Sequence, residues 1–137
     1  MVNLNLGRKI SRKSPAENPH LPSEQRANDS EFALFVECSW RLESETQVIC
    51  GAWDDNSKQG AMRKGLERLV GQTIESISLS RPSLDLELRF SNQLVLRIFC
   101  DQTNRAEMVD NYSLFLPRTI YIVGTRSRVR KEVRKSR

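Results

Sequence analysis

Two neighbouring segments in which apolar and polar residues alternate constrain the fold most. Every second residue is apolar across 84–90 and again across 94–100. A period of two is typical of a β-strand with one buried face. A three-residue turn at 91–93 sets Glu87 opposite Arg97, whereas a two-residue turn sets that arginine against a leucine. The pattern therefore predicts an antiparallel hairpin with a defined register.

The other periodic segments predict four more strands and one helix. Apolar residues alternate in 32–40, 48–52 and 76–80, and 119–123 is short, β-branched and aromatic. After polar residues suited to a helix cap, a helical stripe runs up to a glycine and consists of Met62, Leu66, Leu69 and Val70. We therefore expect an α+β fold, an antiparallel sheet of about six strands with one main helix on one face.

The first two strands also carry a prediction of register. With residues 43–45 as a three-residue loop, Trp40 faces Val48 and Cys38 faces Cys50 on one apolar face. We interpret both cysteines as small apolar core residues, with a redox pair as the alternative.

The ends of the chain differ from its middle. Residues 1–28 hold three of the five prolines and few large apolar groups, and residues 126–137 carry seven basic side chains against one acidic side chain. Such segments bury too little surface to offset the entropy cost of ordering them. We therefore expect a flexible basic arm at 1–28, an α+β domain at 29–125 and a basic C-terminal tail at 126–137.

Charge distribution bears on partners. Residues 29–125 carry ten basic and fourteen acidic side chains, so the expected domain is acidic although the whole chain is basic. An acidic surface favours a basic protein partner. No apolar run approaches the roughly 18 residues that span a bilayer, so no membrane is expected. Three dispersed cysteines favour a reducing, cytoplasmic compartment.

One helix covers one face of the expected sheet and leaves the other face open. The long apolar connection 101–118 is expected to pack back on the domain with one short helical turn. That loop, a protein partner, or a second copy of the chain in a homodimer would cover the open face. The residues assigned to protein binding are Phe35, Ile49, Asp85, Glu87, Arg97, Phe99, Asp110 and Tyr112.

Carboxylates on the expected sheet raise the question of catalysis. Asp85 and Glu87 share a strand face with Arg89, in the manner of restriction-type nucleases, and Asp101 is the nearest further acid. Such sites need a second acid on a neighbouring strand and usually a lysine, and neither is in place. Because the only histidine, His20, lies in the arm, a zinc site is not expected. We predict no enzyme activity, no catalytic residue, no metal and no cofactor.

The basic tail is the second candidate surface. Its cations are Arg126, Arg128, Arg130, Lys131, Arg134, Lys135 and Arg137. They suit binding to the phosphate backbone of a nucleic acid, with affinity that falls as salt rises. No aromatic residue is interleaved for base stacking, so sequence recognition is not indicated. A solubilising tail is the alternative interpretation.

Four segments carry a resemblance to known proteins. They are GQTI at 71–74, DLELRF at 85–90, LVLRIF at 94–99 and YIVG at 121–124. Together they resemble small uncharacterised bacterial domains, some of them encoded near toxins or defence systems. The resemblance covers less than half of the chain. It implies a small α+β domain with immunity-type binding, and it transfers no active-site residue.

Two functions from different classes follow from these observations. The first is a non-enzymatic binding module, of an immunity or defence-associated kind, that recognises a protein partner. The alternative is a nucleic-acid-associated protein that binds phosphate through its basic termini.

Overall fold

The computed structural model describes residues 1–11, 28–103 and 110–134. In these ranges the chain forms ten strands and one short helix. Their bounds are β1 Val2–Ser11, β2 Asn28–Val36, β3 Ser39–Glu43, β4 Val48–Gly51, α1 Ala61–Glu67, β5 Ile74–Leu79, β6 Leu86–Phe90, β7 Val95–Phe99, β8 Tyr112–Phe115, β9 Thr119–Val123 and β10 Val129–Val133. The fold is thus mixed α+β and mostly β.

The strands form two antiparallel sheets of five. Sheet A has the order β1-β2-β8-β9-β10, and sheet B has the order β4-β3-β7-β6-β5. The expectation of one six-stranded sheet under a main helix is therefore corrected. The core contains Leu34 and Val36 of sheet A together with Trp40, Leu42 and Ile98 of sheet B, so the two sheets pack face to face.

The chain passes from sheet A to sheet B between β2 and β3. The amides of Glu37 and Cys38 both donate to the carbonyl oxygen of Asn111, at 2.9 and 3.1 Å. The buried side chain of Asn111 accepts from the amide of Asp101 and donates to the carbonyl oxygen of Gly124. Because alternation continues through this crossing, the sequence predicted a single strand from 32 to 40 where the structure has two.

The predicted register of the first hairpin is wrong. Cys50 pairs with Leu42 and not with Cys38, and Glu43 pairs with Val48 across a bulge. β3 continues to Glu43, so the turn lies later than predicted and Val48 is exposed instead of facing Trp40. Burial of Cys50 agrees with its interpretation as a core residue.

The helix is shorter than its apolar stripe. Its cap is Gly60, which makes no side-chain hydrogen bond, so the expected polar cap is corrected. Met62 is buried in the helix and Leu69 just after it, whereas Val70 is exposed. The helix lies so close to β4 that a Cβ atom added at Gly65 would be 2.5 Å from the Cys50 sulfur.

The hairpin of β6 and β7 has the predicted register. Leu86 pairs with Ile98, and Glu87 pairs with Arg97. Gln93 in the turn has φ 71°, which lets the three-residue connection close. The closing strand at 119–123 is confirmed as β9.

Strands form in two segments that were expected to be a flexible arm and a basic tail. β1 pairs with β2, and Val2 is buried beside Val36. β10 pairs with β9. Alternating apolar residues in β1 supply an inward face that the arm assignment overlooked. The rest of the predicted arm, residues 12–27, lies outside the described residues.

The expected loop at 101–118 contains a strand. β8 lies between β2 and β9 in sheet A, so residues 112–115 form a strand where a packed loop was expected. Residues 104–109 lie outside the described residues.

An apolar cleft between two free strand edges

The two sheets enclose a cleft of about 550 Å³ beside β5 and β10. Side chains of β5 and β6 form one wall, and side chains from sheet A form the other. The main apolar lining residues are Leu6, Leu34, Ile77, Leu79, Leu86, Leu88, Leu114, Tyr121 and Val129. This volume is in the range of about 300–1,000 Å³ that is common for binding sites.

The mouth of the cleft is bordered by β5, the last strand of sheet B. Ile77 and Leu79 line the cleft, yet they are 62% and 46% exposed. The Ser80 amide donates to the Asp85 carbonyl oxygen, at 2.9 Å. By the alternation of antiparallel pairs, the backbone groups of Ile77 and Leu79 then point away from β6. Exposed apolar side chains therefore occur at the same residues as backbone groups that have no partner in the described part of the chain.

The opposite border is β10, the last strand of sheet A. The Gly124 amide donates to the Arg128 carbonyl oxygen, at 2.9 Å. By the same alternation Val129 and Lys131 direct backbone groups to the free edge. Val129 lines the cleft and is 53% exposed. Two free strand edges thus flank one apolar opening.

The charged groups at this opening are basic. Arg81 lines the cleft, and Lys131 lies over the Tyr121 ring, 6.0 Å from its centre. Neither forms an ion pair with any residue in the described part of the chain. The Ser127 hydroxyl donates to the Pro82 carbonyl oxygen and joins the two sheets near Arg81.

A second groove of about 700 Å³ lies between β1 and α1. Its lining includes the polar side chains of Asn3, Asn5 and Gln72 as well as the apolar side chains of Leu66 and Val70. It is more polar than the cleft and has no comparable pair of free edges.

The outer face of sheet B carries the predicted charged residues. Arg97 binds Glu87 at 2.6 Å and Glu43 at 3.0 Å, and Arg89 binds Glu87 at 3.1 Å. Arg41 hydrogen bonds to Glu43 and holds the pKa of that carboxyl below its usual value. The carboxylates of Glu43 and Glu87 are therefore paired with arginines of the same sheet.

The predicted aromatic residue on this face, Phe99, is half-buried. The Arg41 guanidinium lies over its ring, 4.7 Å from the centre. Phe35 lies in sheet A, opposite Asn3 and Ser113. The two phenylalanines therefore belong to different sheets, and the predicted surface that joined them is corrected.

The remaining residues assigned to protein binding are dispersed. Ile49 packs near Gly65 of the helix, and the Asp85 carboxylate accepts from the Cys100 amide at 2.7 Å. Asp110 pairs with Arg130 at 3.4 Å. Tyr112 is buried and donates to the Leu84 carbonyl oxygen at 2.8 Å. Burial of its ring raises the pKa of Tyr112.

The basic residues of the predicted tail lie on β10 and its turn. Arg126 donates to the Gln102 carbonyl oxygen at 2.9 Å, and Arg134 lies over Phe115. Arg128 and Lys131 are exposed. Lys135 and Arg137 lie outside the described residues.

In the described ranges no group of three or more metal-binding side chains occurs. No helix there is long and apolar enough to cross a membrane. No family model, curated protein or solved structure matches the chain.

Sequence reasoning missed the cleft for two reasons. Residues 126–137 were assigned to a tail, and the strand at 76–80 was placed in a single sheet of about six strands, not at the edge of one of two sheets. One signal was present: Ile77 and Leu79 alternate with serines, and a strand with small polar residues on its other face is suited to an edge.

Proposed function

We propose that this chain is a non-enzymatic binding module that takes an extended segment of a protein partner along the free edge of β5. The observation that carries the proposal is the coincidence of exposed apolar side chains and free backbone groups at Ile77 and Leu79. Such a segment forms backbone hydrogen bonds to β5 and inserts alternate side chains into the cleft.

The composition of β5 supports this mode. Edge strands are usually protected by lysine, proline or a bulge in mid-strand. β5 has neither residue type, its only charge is Glu75, and its bulge lies at the start of the strand. A strand added to this edge removes Ile77 and Leu79 from water, which contributes about 25 cal/mol per Å² of apolar surface.

The charges at the opening define the partner segment. Arg81 lines the cleft, Lys131 lies over the ring of the lining residue Tyr121, and neither is in an ion pair with a described residue. An extended segment with alternating apolar residues and a neighbouring glutamate or aspartate complements them. This proposal differs from the basic partner expected from the overall charge of residues 29–125.

The engagement of the carboxylates supports a non-enzymatic role. Glu87 is held by Arg89 and Arg97, and Asp85 accepts a backbone hydrogen bond. The bacterial domains that the sequence resembles extend the proposal to an immunity-type or defence-associated partner. In that role the module occupies a strand edge or groove of the protein it restrains.

Synthetic peptides test the proposal. The probes are labelled peptides of about ten residues with alternating valine and threonine and two glutamates, a scrambled peptide of the same composition, and a version with lysine for glutamate. Fluorescence anisotropy with the full chain measures affinity. We expect the alternating acidic peptide to bind best, and equal binding of the scrambled peptide would contradict the proposal.

A matched pair of variants locates the site. Ile77→Lys is expected to weaken peptide binding by about tenfold or more, because it removes an anchor and places a charge in the cleft. Val48→Lys is the control, since Val48 is exposed on β4, the opposite edge of the same sheet. An equal loss in both variants would contradict binding at β5.

A second copy of the chain is the competing occupant. Light scattering over a range of concentrations distinguishes it. A monomer in both the parent chain and Ile77→Lys supports a different protein as the partner. A dimer that Ile77→Lys dissociates would overturn that choice.

Binding to nucleic acid is the second candidate function. The observation in its favour is that Arg128 and Lys131 are exposed on one edge strand and its turn. Anisotropy of labelled duplex DNA should show weak, sequence-independent binding that falls steeply with salt and is reduced in Arg128→Gln. Binding that ignores salt would exclude this function.

A further inference from the structure

We propose that Cys38 and Cys100 form a reversible disulfide in response to a peroxide, and that this thiol pair is an oxidative modification site at the crossing between the two sheets. The assignment is independent of the proposed function. It rests on strand register, on backbone hydrogen bonding and on the packing of both side chains against the core.

Register places the two cysteines opposite each other. Ser39 pairs with Phe99 at the end of the ladder between β3 and β7. One step further along both antiparallel strands lie Cys38 and Cys100. Their side chains follow the inward side of Trp40 and Ile98, and both pack against the core.

Cys38 and Cys100 form a non-hydrogen-bonded antiparallel pair, which is the type with the shorter distance between Cα atoms. The Cys38 amide donates to the Asn111 carbonyl oxygen at 3.1 Å, and the Cys100 amide donates to the Asp85 carboxylate at 2.7 Å. Neither amide is therefore available to the opposite cysteine. Directly opposite residues of such a pair have Cα atoms about 4.5 Å apart. A disulfide needs about 4.4–6.8 Å, so little backbone movement is required.

The two thiols differ in reactivity. The Cys100 thiol donates to the Leu84 carbonyl oxygen at 3.5 Å, and its interaction with Cys38 lowers the pKa of Cys38. That interaction and burial raise the pKa of Cys100. Both side chains are partly exposed, which admits a small oxidant. Cys38 is thus the attacking thiolate, and Cys100 is the resolving thiol.

The chemistry has two steps. The Cys38 thiolate attacks one oxygen of hydrogen peroxide, the O–O bond breaks, and Cys38 sulfenic acid and hydroxide form. The hydroxide takes a proton from solvent and becomes water. The Cys100 sulfur then attacks the Cys38 sulfur. The S–S bond forms, the S–O bond breaks, and the departing hydroxide leaves as water with the Cys100 proton.

Atoms and electrons balance over the two steps. Two thiols lose two electrons and two protons, and one hydrogen peroxide is reduced to two waters. A dithiol such as dithiothreitol reverses the change by thiol–disulfide exchange.

The third cysteine is a built-in control. Cys50 is buried, and burial raises the pKa of its thiol. It lies beneath Gly65 and pairs with Leu42 across the sheet. We expect it to stay reduced when the other two are oxidised.

Peptide mapping of the full chain tests the proposal. The folded protein is treated with hydrogen peroxide, alkylated, and digested without reductant. We expect one cross-linked species that joins the peptides of Cys38 and Cys100, its loss on dithiothreitol, and an alkylated Cys50. A cross-link that includes Cys50, or failure to form any cross-link within the chain, would overturn the proposal.

Variants separate the roles of the two thiols. In Cys100→Ser the sulfenic acid on Cys38 has no resolving thiol, so a dimedone probe should label Cys38. In Cys38→Ser the dimedone probe should not label Cys100. Cys50→Ser should form the same cross-link as the parent chain. Labelling of Cys100 in Cys38→Ser would contradict the assigned roles, and circular dichroism checks that each variant is folded.

Discussion

At the scale of single residues, the charged groups on the outer face of sheet B are used to fix the sheet. Glu43, Glu87 and three arginines form a continuous network across neighbouring strands. Networks of this kind contribute more than an isolated surface pair. Glu87, which was weighed as a catalytic acid from the sequence, therefore has structural partners in Arg89 and Arg97.

The pH dependence of stability tests this network. The Arg41 hydrogen bond lowers the pKa of Glu43 below its ordinary value of 4.5. A lowered pKa means that the stabilisation is complete at neutral pH and is lost as pH falls through the folded value. Glu43→Gln should cost about 1 kcal/mol at pH 7, with a smaller difference from the parent below about pH 4.

Urea unfolding at several pH values measures the effect. Glu45→Gln is the matched control, because Glu45 is exposed in the adjacent turn. A cost for Glu43→Gln that is independent of pH would show that the carboxylate charge is not responsible.

A second residue-scale prediction concerns Tyr112, which was assigned to a binding surface. Its hydroxyl donates to the buried Leu84 carbonyl oxygen. Tyr112→Phe should therefore destabilise the free chain by about 1 kcal/mol. Tyr121→Phe is the control and should have little effect. Thermal unfolding measures both, and an unchanged melting temperature for Tyr112→Phe would indicate that the hydroxyl is free for a partner.

At the scale of elements, the sequence pattern predicts a hairpin correctly where a single register satisfies all of its cross-strand pairs. The hairpin of β6 and β7 was predictable because one register satisfies both the apolar face and the Glu87–Arg97 pair. The hairpin of β3 and β4 was not, because β3 continues to Glu43 and a bulge follows Leu42, and no periodicity reveals either feature.

Helix α1 shows the limit of helix propensity. In an exposed helix, alanine in place of glycine stabilises by about 1 kcal/mol. At Gly65 the new Cβ would meet the Cys50 sulfur at 2.5 Å and the Ile49 methyl carbon at 3.1 Å. Gly65→Ala should therefore destabilise by about 1–3 kcal/mol. Lys64→Ala is the control on the exposed side, and denaturant unfolding that shows Gly65→Ala to be stabilising would contradict the close packing.

Strand β1 gives another element-scale prediction. Val2 is buried, and Leu4 and Leu6 pack against the core. Removing residues 2–11 exposes this part of sheet A, at about 1.5–3 kcal/mol for each fully buried side chain lost. We expect a clearly lower melting temperature, whereas Asn3→Ser on the outer face should have little effect. Unchanged melting of the truncated chain would restore the assignment of this segment to an arm.

At the scale of the whole molecule, long-range arrangement was beyond the sequence. Continuous alternation from 32 to 40 concealed the crossing from one sheet to the other, because a period of two specifies a buried side but not the sheet that provides it. The hydrogen bonds from Glu37 and Cys38 to Asn111, far along the chain, fix that crossing. The cleft arises from the same division, since β5 and β10 become the borders of separate sheets.

The free edge of β5 is proposed to receive an extended segment of a partner. Amide hydrogen exchange resolved by residue tests it most directly, with the chain alone and with the alternating acidic peptide. We predict that the Ile77 and Leu79 amides exchange quickly in the free chain and become protected in the complex. The Ser78 amide, which the alternation pairs with β6, should change little. Peptide binding that leaves the Ile77 and Leu79 amides unprotected would contradict the account.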